Sequence, residues 1–169
     1  MFTVFTKEIV LLMLRQGIIR SGGGMNQFLI GFFWAVFIFN GCSGMHPSNL
    51  GVKDNRLSPC PSSPNCVCSQ SEDQRHRIDP IRFTFPPAEA MDRLKMVIRG
   101  MKRATVVRET SDYLHVEFRT LLGFMDNVEF HLDEKQKVIH LRSASRVGYW
   151  DMGVNRKRME SIRTEFRRK

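Results

Sequence analysis

Three segments in the second half of the chain alternate apolar with polar side chains. They are YLHVEFRT from Tyr113, VEFHLD from Val128 and VIHLRSAS from Val138. Alternation with a period of two is typical of a β-strand that buries one face. We therefore expect residues 134–137 to form a hairpin loop between the second and third strands. The pairs that result are Phe130 with Leu141, Glu129 with Arg142, and His131 with His140. A slip of one residue would turn charged side chains toward the core, so this register is strongly specified.

Two amphipathic helices flank the strand segments. Pro87 and Gly100 mark the start and end of the first, and Asn155 is a plausible cap for the second. Their apolar stripes are Met91, Leu94, Ile98 and Met101, and Met159, Ile162 and Phe166. The less regular ATVVRET supplies a fourth strand. The predicted fold is α+β: an antiparallel sheet of about four strands, with two helices packed on one face and the other face in solvent.

An uncharged apolar run, FLIGFFWAVFIF, occupies residues 28–39 and is followed closely by Cys42. A run of this length is short for a bilayer span, which takes about 20 helical residues, and is typical of a secretory signal. Arg15 and Arg20 lie upstream as a basic region, although translation could start at more than one methionine. Because FNGCSG resembles a lipoprotein signal, we expect Cys42 to be lipidated after cleavage. The alternatives are an uncleaved signal anchor or ordinary cleavage just beyond.

The domain organisation follows from this N-terminal signal. Residues 1–41 are the expected signal segment, residues 42–56 a tether and residues 57–169 the globular domain. Turn formers, prolines and charges without apolar periodicity fill the stretch up to residue 79, which predicts a loop-rich lead-in.

Three cysteines follow the tether within a short span. Cys60 and Cys66 enclose five residues, two of them proline, in a loop that a disulfide could close. An exported chain enters an oxidising space where such bonds persist. The C-x5-C-x-C spacing, completed by Cys68, is not that of a zinc ribbon. We favour a structural disulfide with Cys68 unpaired, over free thiols or a metal or redox site to which His46 and His76 could contribute.

Several stretches together resemble a known family. PCPSSPNCV, DPI, MDNVEF and IHLRSASRVGYWDMGVNRKR are similar to the bacterial and plastid family called domain of unknown function 1499, over about residues 57–168. Cys68 and Trp150 depart from the family pattern. The resemblance implies an envelope or membrane-associated location. It implies no reaction, cofactor or catalytic residue.

The polar face of the predicted sheet is one candidate site. It gathers His115, Glu129, His131, His140 and Arg142. Neighbouring side chains on antiparallel strands stand about 4.5 to 5.5 Å apart between Cβ atoms, so such a set could hold a divalent metal or an anion. The alternative is a solvated face with ordinary ion pairs across the strands.

The connection from the last strand to the last helix is a second candidate. It concentrates Ser143, Ser145, Arg146, Asp151, Asn155 and Arg156 between two glycines and a helix start. The structural alternative is a tight connection in which Arg146 pairs with Asp151 and Asn155 caps the helix. No serine stands in a G-x-S-x-G pattern, which gives no basis for a hydrolase.

The net charge of +9 bears on the partners. Residues 1–41 carry three basic and one acidic side chain, so the exported remainder keeps +7. Without a nucleic-acid reader motif, we expect no nucleic acid as partner and no cofactor. We expect the chain to contact a membrane through its N-terminal lipid or signal anchor, and anionic lipids or envelope polymers through its basic surface. The sequence thus predicts an exported envelope lipoprotein on the periplasmic side, acting as a non-catalytic binding or structural module. An enzyme on the polar sheet face is the alternative.

Overall fold

The structure, a computed structural model, describes residues 47–168 of the chain. The predicted signal segment and Cys42 lie outside the described residues. Within residues 47–168, no helix is both long enough and apolar enough to cross a membrane. The described part combines two helices with a mostly antiparallel sheet, so the predicted α+β class is confirmed.

The elements follow one another along the chain as eight strands and two helices. They are β1 (Val52–Lys53), β2 (Arg56–Leu57), β3 (Cys66–Cys68), β4 (Ile81–Arg82), α1 (Pro87–Arg99), β5 (Ala104–Glu109), β6 (Tyr113–Arg119), β7 (Met125–Asp133), β8 (Val138–Ser145) and α2 (Val154–Arg168). Pro87 lies in the first turn of α1 and Gly100 forms its C-cap, as the sequence predicts.

The main sheet has six strands rather than the four that we expected. Strands β3, β8, β7, β6 and β5 lie side by side in that order, and β4 also pairs with β8. The two missed strands have three and two residues, too few to display an alternating pattern. The predicted hairpin register is confirmed: Phe130 pairs with Leu141, Glu129 with Arg142, and His131 with His140.

One apolar core holds the helices and the sheet together. Leu114, Val116, Val128, Phe130 and Leu141 come from alternate positions of β6, β7 and β8 and are inaccessible to solvent. The same cluster contains the predicted stripes of both helices, namely Met91, Leu94 and Ile98, and Met159, Ile162 and Phe166, with Met101 packed against it. Burial of large apolar side chains at this density is the main stabilising contribution of such a core.

The opposite face of the sheet is polar, and it is buried as well. We define the polar face as Tyr113, His115, Asn127, Glu129, His131, Asp133, His140 and Arg142, all of which are 7% exposed or less. The expectation of a solvated face was therefore wrong. Part of the reason is a small hairpin, residues 51–57, formed by β1 and β2.

This cover hairpin includes most of the described part of the stretch that the sequence predicts as a tether. Its turn residues Asp54 and Asn55 have φ of 52° and 59°, which is the backbone of a tight two-residue turn. The side-chain amide of Gln70 binds the hairpin to the domain through two hydrogen bonds. Its Oε1 accepts from the Leu57 amide at 2.8 Å, and its Nε2 donates to the Asn55 carbonyl at 3.0 Å. The hairpin is thus an integral layer of the fold.

Candidate functional site

Glu129 is the centre of the polar face. Its carboxylate is fully buried and accepts three hydrogen bonds: from Arg142 Nη1 at 3.0 Å, from the Tyr113 hydroxyl at 2.8 Å, and from the Gly51 amide at 2.7 Å. Burial, followed by the negative charge of Glu129, raises the pKa of the Tyr113 phenol, which therefore stays a neutral donor. A charged neighbour and two further donors thus surround this carboxylate in the interior of the domain.

His131 connects the polar face to the cover hairpin. Its Nε2 lies 2.8 Å from Asn55 Oδ1, and its Nδ1 lies 3.3 Å from the Asp112 carbonyl oxygen. Asn55 also donates from Nδ2 to Asp133 Oδ2 at 2.8 Å, which fixes the orientation of the amide. One hairpin side chain therefore satisfies two strand residues, and it binds the hairpin to β7.

His140 lies beside His131 but has a different environment. Its Nδ1 is 3.2 Å from Ser69 Oγ, whose oxygen also accepts from the Leu141 amide at 3.0 Å. Nε2 of His140 has no hydrogen-bond partner among the described residues. Burial lowers the pKa of His140, against the opposing effect of the Asp133 charge. The imidazole is therefore held in its neutral form at neutral pH.

His115 and Arg146 meet on Asn127, further along the polar face. Asn127 Oδ1 lies 3.1 Å from His115 Nε2 and accepts from Arg146 Nη2 at 3.0 Å. Arg146 also forms an ion pair with Glu117. The predicted pairing of Arg146 with Asp151 is therefore wrong, because Arg146 continues the polar-face side of β8 while Asp151 lies in the turn before α2.

The candidate residues of the polar face thus lie close together, but of the five only Glu129 and Arg142 bond to each other. The histidines bond to other residues: His115 to Asn127, His131 to Asn55, and His140 to Ser69. Among residues 47–168, no three His, Cys, Asp or Glu side chains are arranged so that they could hold a metal ion. Chemically, the arrangement pairs the buried charge of Glu129 with that of Arg142, while Arg142 Nε, Arg146 Nε and His140 Nε2 have no hydrogen-bond partner among the described residues.

The strand-to-helix connection forms a second buried polar cluster, on the helix side of the sheet. Asn155 is inaccessible to solvent and bonds to Ser143 and Ser145 of β8 and to the Asn65 carbonyl. Asp151 accepts from the Asn155 amide at 2.8 Å and from the Gly153 amide at 3.0 Å. The residue that caps α2 is therefore Asp151 and not Asn155, whose side chain instead binds α2 to the sheet.

Two arginines of α2 extend this connection. Arg158 Nη2 lies 2.6 Å from Asp126 Oδ2 in a buried ion pair. Arg156, a predicted site residue, donates from Nη1 to the Arg77 carbonyl at 2.7 Å and from Nη2 to the Arg75 carbonyl at 2.9 Å. Both side chains bind the helix to the rest of the fold.

The cysteines have the predicted arrangement. Cys60 and Cys66 form a disulfide, and Cys68 is a free, buried thiol two residues further along β3. Burial raises the pKa of Cys68, which keeps it protonated and poorly nucleophilic at neutral pH.

Sequence reasoning missed an apolar surface at one end of the sheet. We define the loop patch as Leu121, Leu122, Phe124, Trp150 and Met152, which lie on the β6–β7 and β8–α2 connections and are between 40% and 85% exposed. The signal was present as large apolar residues in the loop sequences TLLGF and GYWDMG. Nothing in a single sequence indicates, however, that the two loops lie side by side.

Together these features define a small, disulfide-bonded α+β domain in which the central strands β6, β7 and β8 are buried on both faces. The chain belongs to the family described as Protein of unknown function (DUF1499), because the family model matches residues 56–166. The suspected resemblance is thereby confirmed. No curated protein and no solved structure matches the chain.

Proposed function

We propose that this chain is an exported module of the bacterial cell envelope, attached to a membrane through its N-terminal segment, that binds or scaffolds rather than catalyses. The observation that carries the second half of this proposal is the saturation of Glu129. A catalytic carboxylate has to reach substrate, whereas this one is surrounded by three internal donors beneath the cover hairpin.

The compartment is supported by two independent features. The bond between Cys60 and Cys66 is of a kind that persists in the periplasm and is rare in the cytosol. The apolar run of residues 28–39, followed by Cys42, resembles a lipoprotein signal: Gly41 and Cys42 match it, whereas Phe39 and Asn40 depart from the usual Leu and Ala or Ser. Lipid on Cys42 would keep the domain at the periplasmic side of a membrane.

The partners that fit are anionic. The basic side chains of α2 that are exposed, Lys157, Arg167 and Arg168, would attract lipid head groups or envelope polymers within a Debye length of about 8 to 10 Å. Arg156 and Arg158 are engaged internally and contribute less to such contacts.

Intact mass tests the compartment and the anchor. The protein is purified from membranes of a processing cell and measured with and without reductant, beside a Cys42→Ser variant. A lipid-bearing chain that begins at Cys42, with one internal disulfide and no lipid on the variant, supports the proposal. An unprocessed chain with all thiols reduced would overturn it.

Thermal unfolding tests the non-catalytic assignment against a metal or anion site on the polar face. Midpoints are measured with Zn²⁺, Mg²⁺ or phosphate, for the natural chain and for His131→Gln and His140→Gln variants. We expect the same midpoint with and without each ion. A stabilisation of the natural chain that either variant loses would favour the alternative, a binding or enzymatic site.

A further inference from the structure

The loop patch lines a groove of about 530 Å³ between two loops at one end of the sheet. Leu121 and Leu122, at the tip of the β6–β7 loop, are 85% and 84% exposed, and Trp150 and Met152, on the facing loop, are 67% and 71% exposed. An apolar side chain at this exposure is unfavourable in water, and several of them together mark an interaction surface. The patch therefore indicates a partner that takes up apolar side chains.

The charged side chains around the same groove indicate the charge of that partner. Lys102, Arg103 and Arg119 line the groove and are exposed, and none of them forms an ion pair with a carboxylate of residues 47–168. The two carboxylates that line it are already engaged. Asp126 pairs with Arg158, and Asp151 accepts the amides that begin α2. The apolar side chains of the loop patch are thus bordered by positive charge, which fits a partner that is both apolar and anionic.

We propose that the loop patch docks the domain onto a lipid bilayer that contains anionic head groups. Leu121, Leu122 and Met152 would enter the boundary between head groups and acyl chains, and Trp150 would lie at the interface, where indole rings are favoured. Lys102, Arg103 and Arg119 would meet lipid phosphates at the same level. This inference rests on the proposed anchoring at a membrane, which would hold the domain close to such a surface.

Docking can be read from Trp150 in the full chain. A chain that begins at Cys42 has Trp150 as its single indole, and the Trp34→Phe variant has the same property even when it is not processed. The variant is reconstituted into phosphatidylcholine vesicles with or without phosphatidylglycerol, with brominated acyl chains as quencher. We expect strong quenching and a blue shift of the emission with phosphatidylglycerol, and weaker effects in its absence or at high salt.

Substitutions in the same background separate docking from anchoring. Since burying a leucine shifts a partition equilibrium about tenfold or more, the double change Leu121→Asp and Leu122→Asp should abolish the quenching. Met96→Asp, at an exposed apolar position of α1 that does not line the groove, is a single-charge control and should leave the quenching unchanged. Neutralising Lys102 and Arg103 to Gln should weaken docking by about fivefold per residue.

The two proposals fail in different ways. Anchoring is read from the fraction of protein retained with the vesicles and from the mass at Cys42, whereas docking is read from the indole alone. Docking would be overturned if the protein is retained with the vesicles but iodide quenches Trp150 as strongly as it does in protein without vesicles. An indole shielded from iodide but not quenched by brominated lipid would overturn it as well, because a protein or a second copy would then occupy the groove.

Discussion

Glu129 and Arg142 form an ion pair in the interior of the domain, with Oε2 and Nη1 at 3.0 Å and side chains 0% and 5% exposed. Both stand at directly paired positions of β7 and β8. Because the surroundings exclude water, each charge is stabilised mainly by the other. If one of the two side chains were removed, the remaining charge would be buried without a partner.

Breaking the pair should be strongly destabilising. We expect Arg142→Met to lower the free energy of unfolding by about 3 to 5 kcal/mol, since the Glu129 carboxylate would remain buried without its counter-charge. The double variant Glu129→Met, Arg142→Met should recover much of that loss. Urea unfolding measures both, and a single variant within about 1 kcal/mol of the natural chain would contradict the arrangement.

The cover hairpin can be tested at its turn. Asn55→Ala removes the contacts to His131 and Asp133, and should lower the free energy of unfolding by about 1 to 3 kcal/mol more than Asp54→Ala. Asp54 is the matched control because it shares the positive φ, so both variants carry a similar backbone cost. Equal losses would mean that the side-chain contacts of Asn55 contribute nothing.

Hydrogen exchange gives a second view of the same variants. The Gly51 amide donates to Glu129 at 2.7 Å and should exchange slowly in the natural chain. Asn55→Ala should speed its exchange more than Asp54→Ala does.

The disulfide should stabilise the domain modestly. Cys60 and Cys66 are 6 residues apart, and closing so short a loop is worth about 2 kcal/mol in the chain-entropy model. The double variant Cys60→Ala, Cys66→Ala should lose that amount and should no longer respond to reductant. Cys68→Ala, which leaves the bond intact, should keep a response to reductant, and its absence would contradict the pairing.

The free energy of unfolding should depend on pH through the titration of His140. Burial lowers its pKa in the folded protein below its ordinary value of 6.5, while Asp133 opposes the shift and the charges of His131 and Arg56 add to it. The unfolded chain then binds the proton more readily, so stability should be complete above about pH 6.5 and fall as the pH decreases below it.

The variant His140→Gln isolates this effect. Its free energy of unfolding, measured by urea titration from pH 7 to pH 5, should fall less steeply than that of the natural chain, by a slope equivalent to at most about one proton. Identical slopes would show that His140 titrates alike in both states. Asp133 should not interfere in this window, because its lowered pKa shifts its effect to more acidic pH.

Where the sequence was informative, the signal was local. The alternation in β6, β7 and β8 predicted the strands and the pairing of Glu129 with Arg142, because a period of two determines which side chains share a face. The stripes of α1 and α2 were readable for the same reason, with a period of 3.6. The pairing of Cys60 with Cys66 was predicted from the short loop between them together with the expectation of export.

The features that only the tertiary structure decided depend on contacts between distant residues. Gly51 and Glu129 are 78 positions apart, and Asn55 and His131 are 76 apart. The spacing of side chains within one strand or helix therefore cannot predict that a hairpin covers the polar face. The loop patch likewise requires that Leu122 and Trp150, each in its own loop, line one groove. A side-chain pattern determines which way a residue faces within its element. What lies on the other side of that face is determined by the packing of the whole chain, and here that packing encloses the polar face and leaves an apolar patch in water.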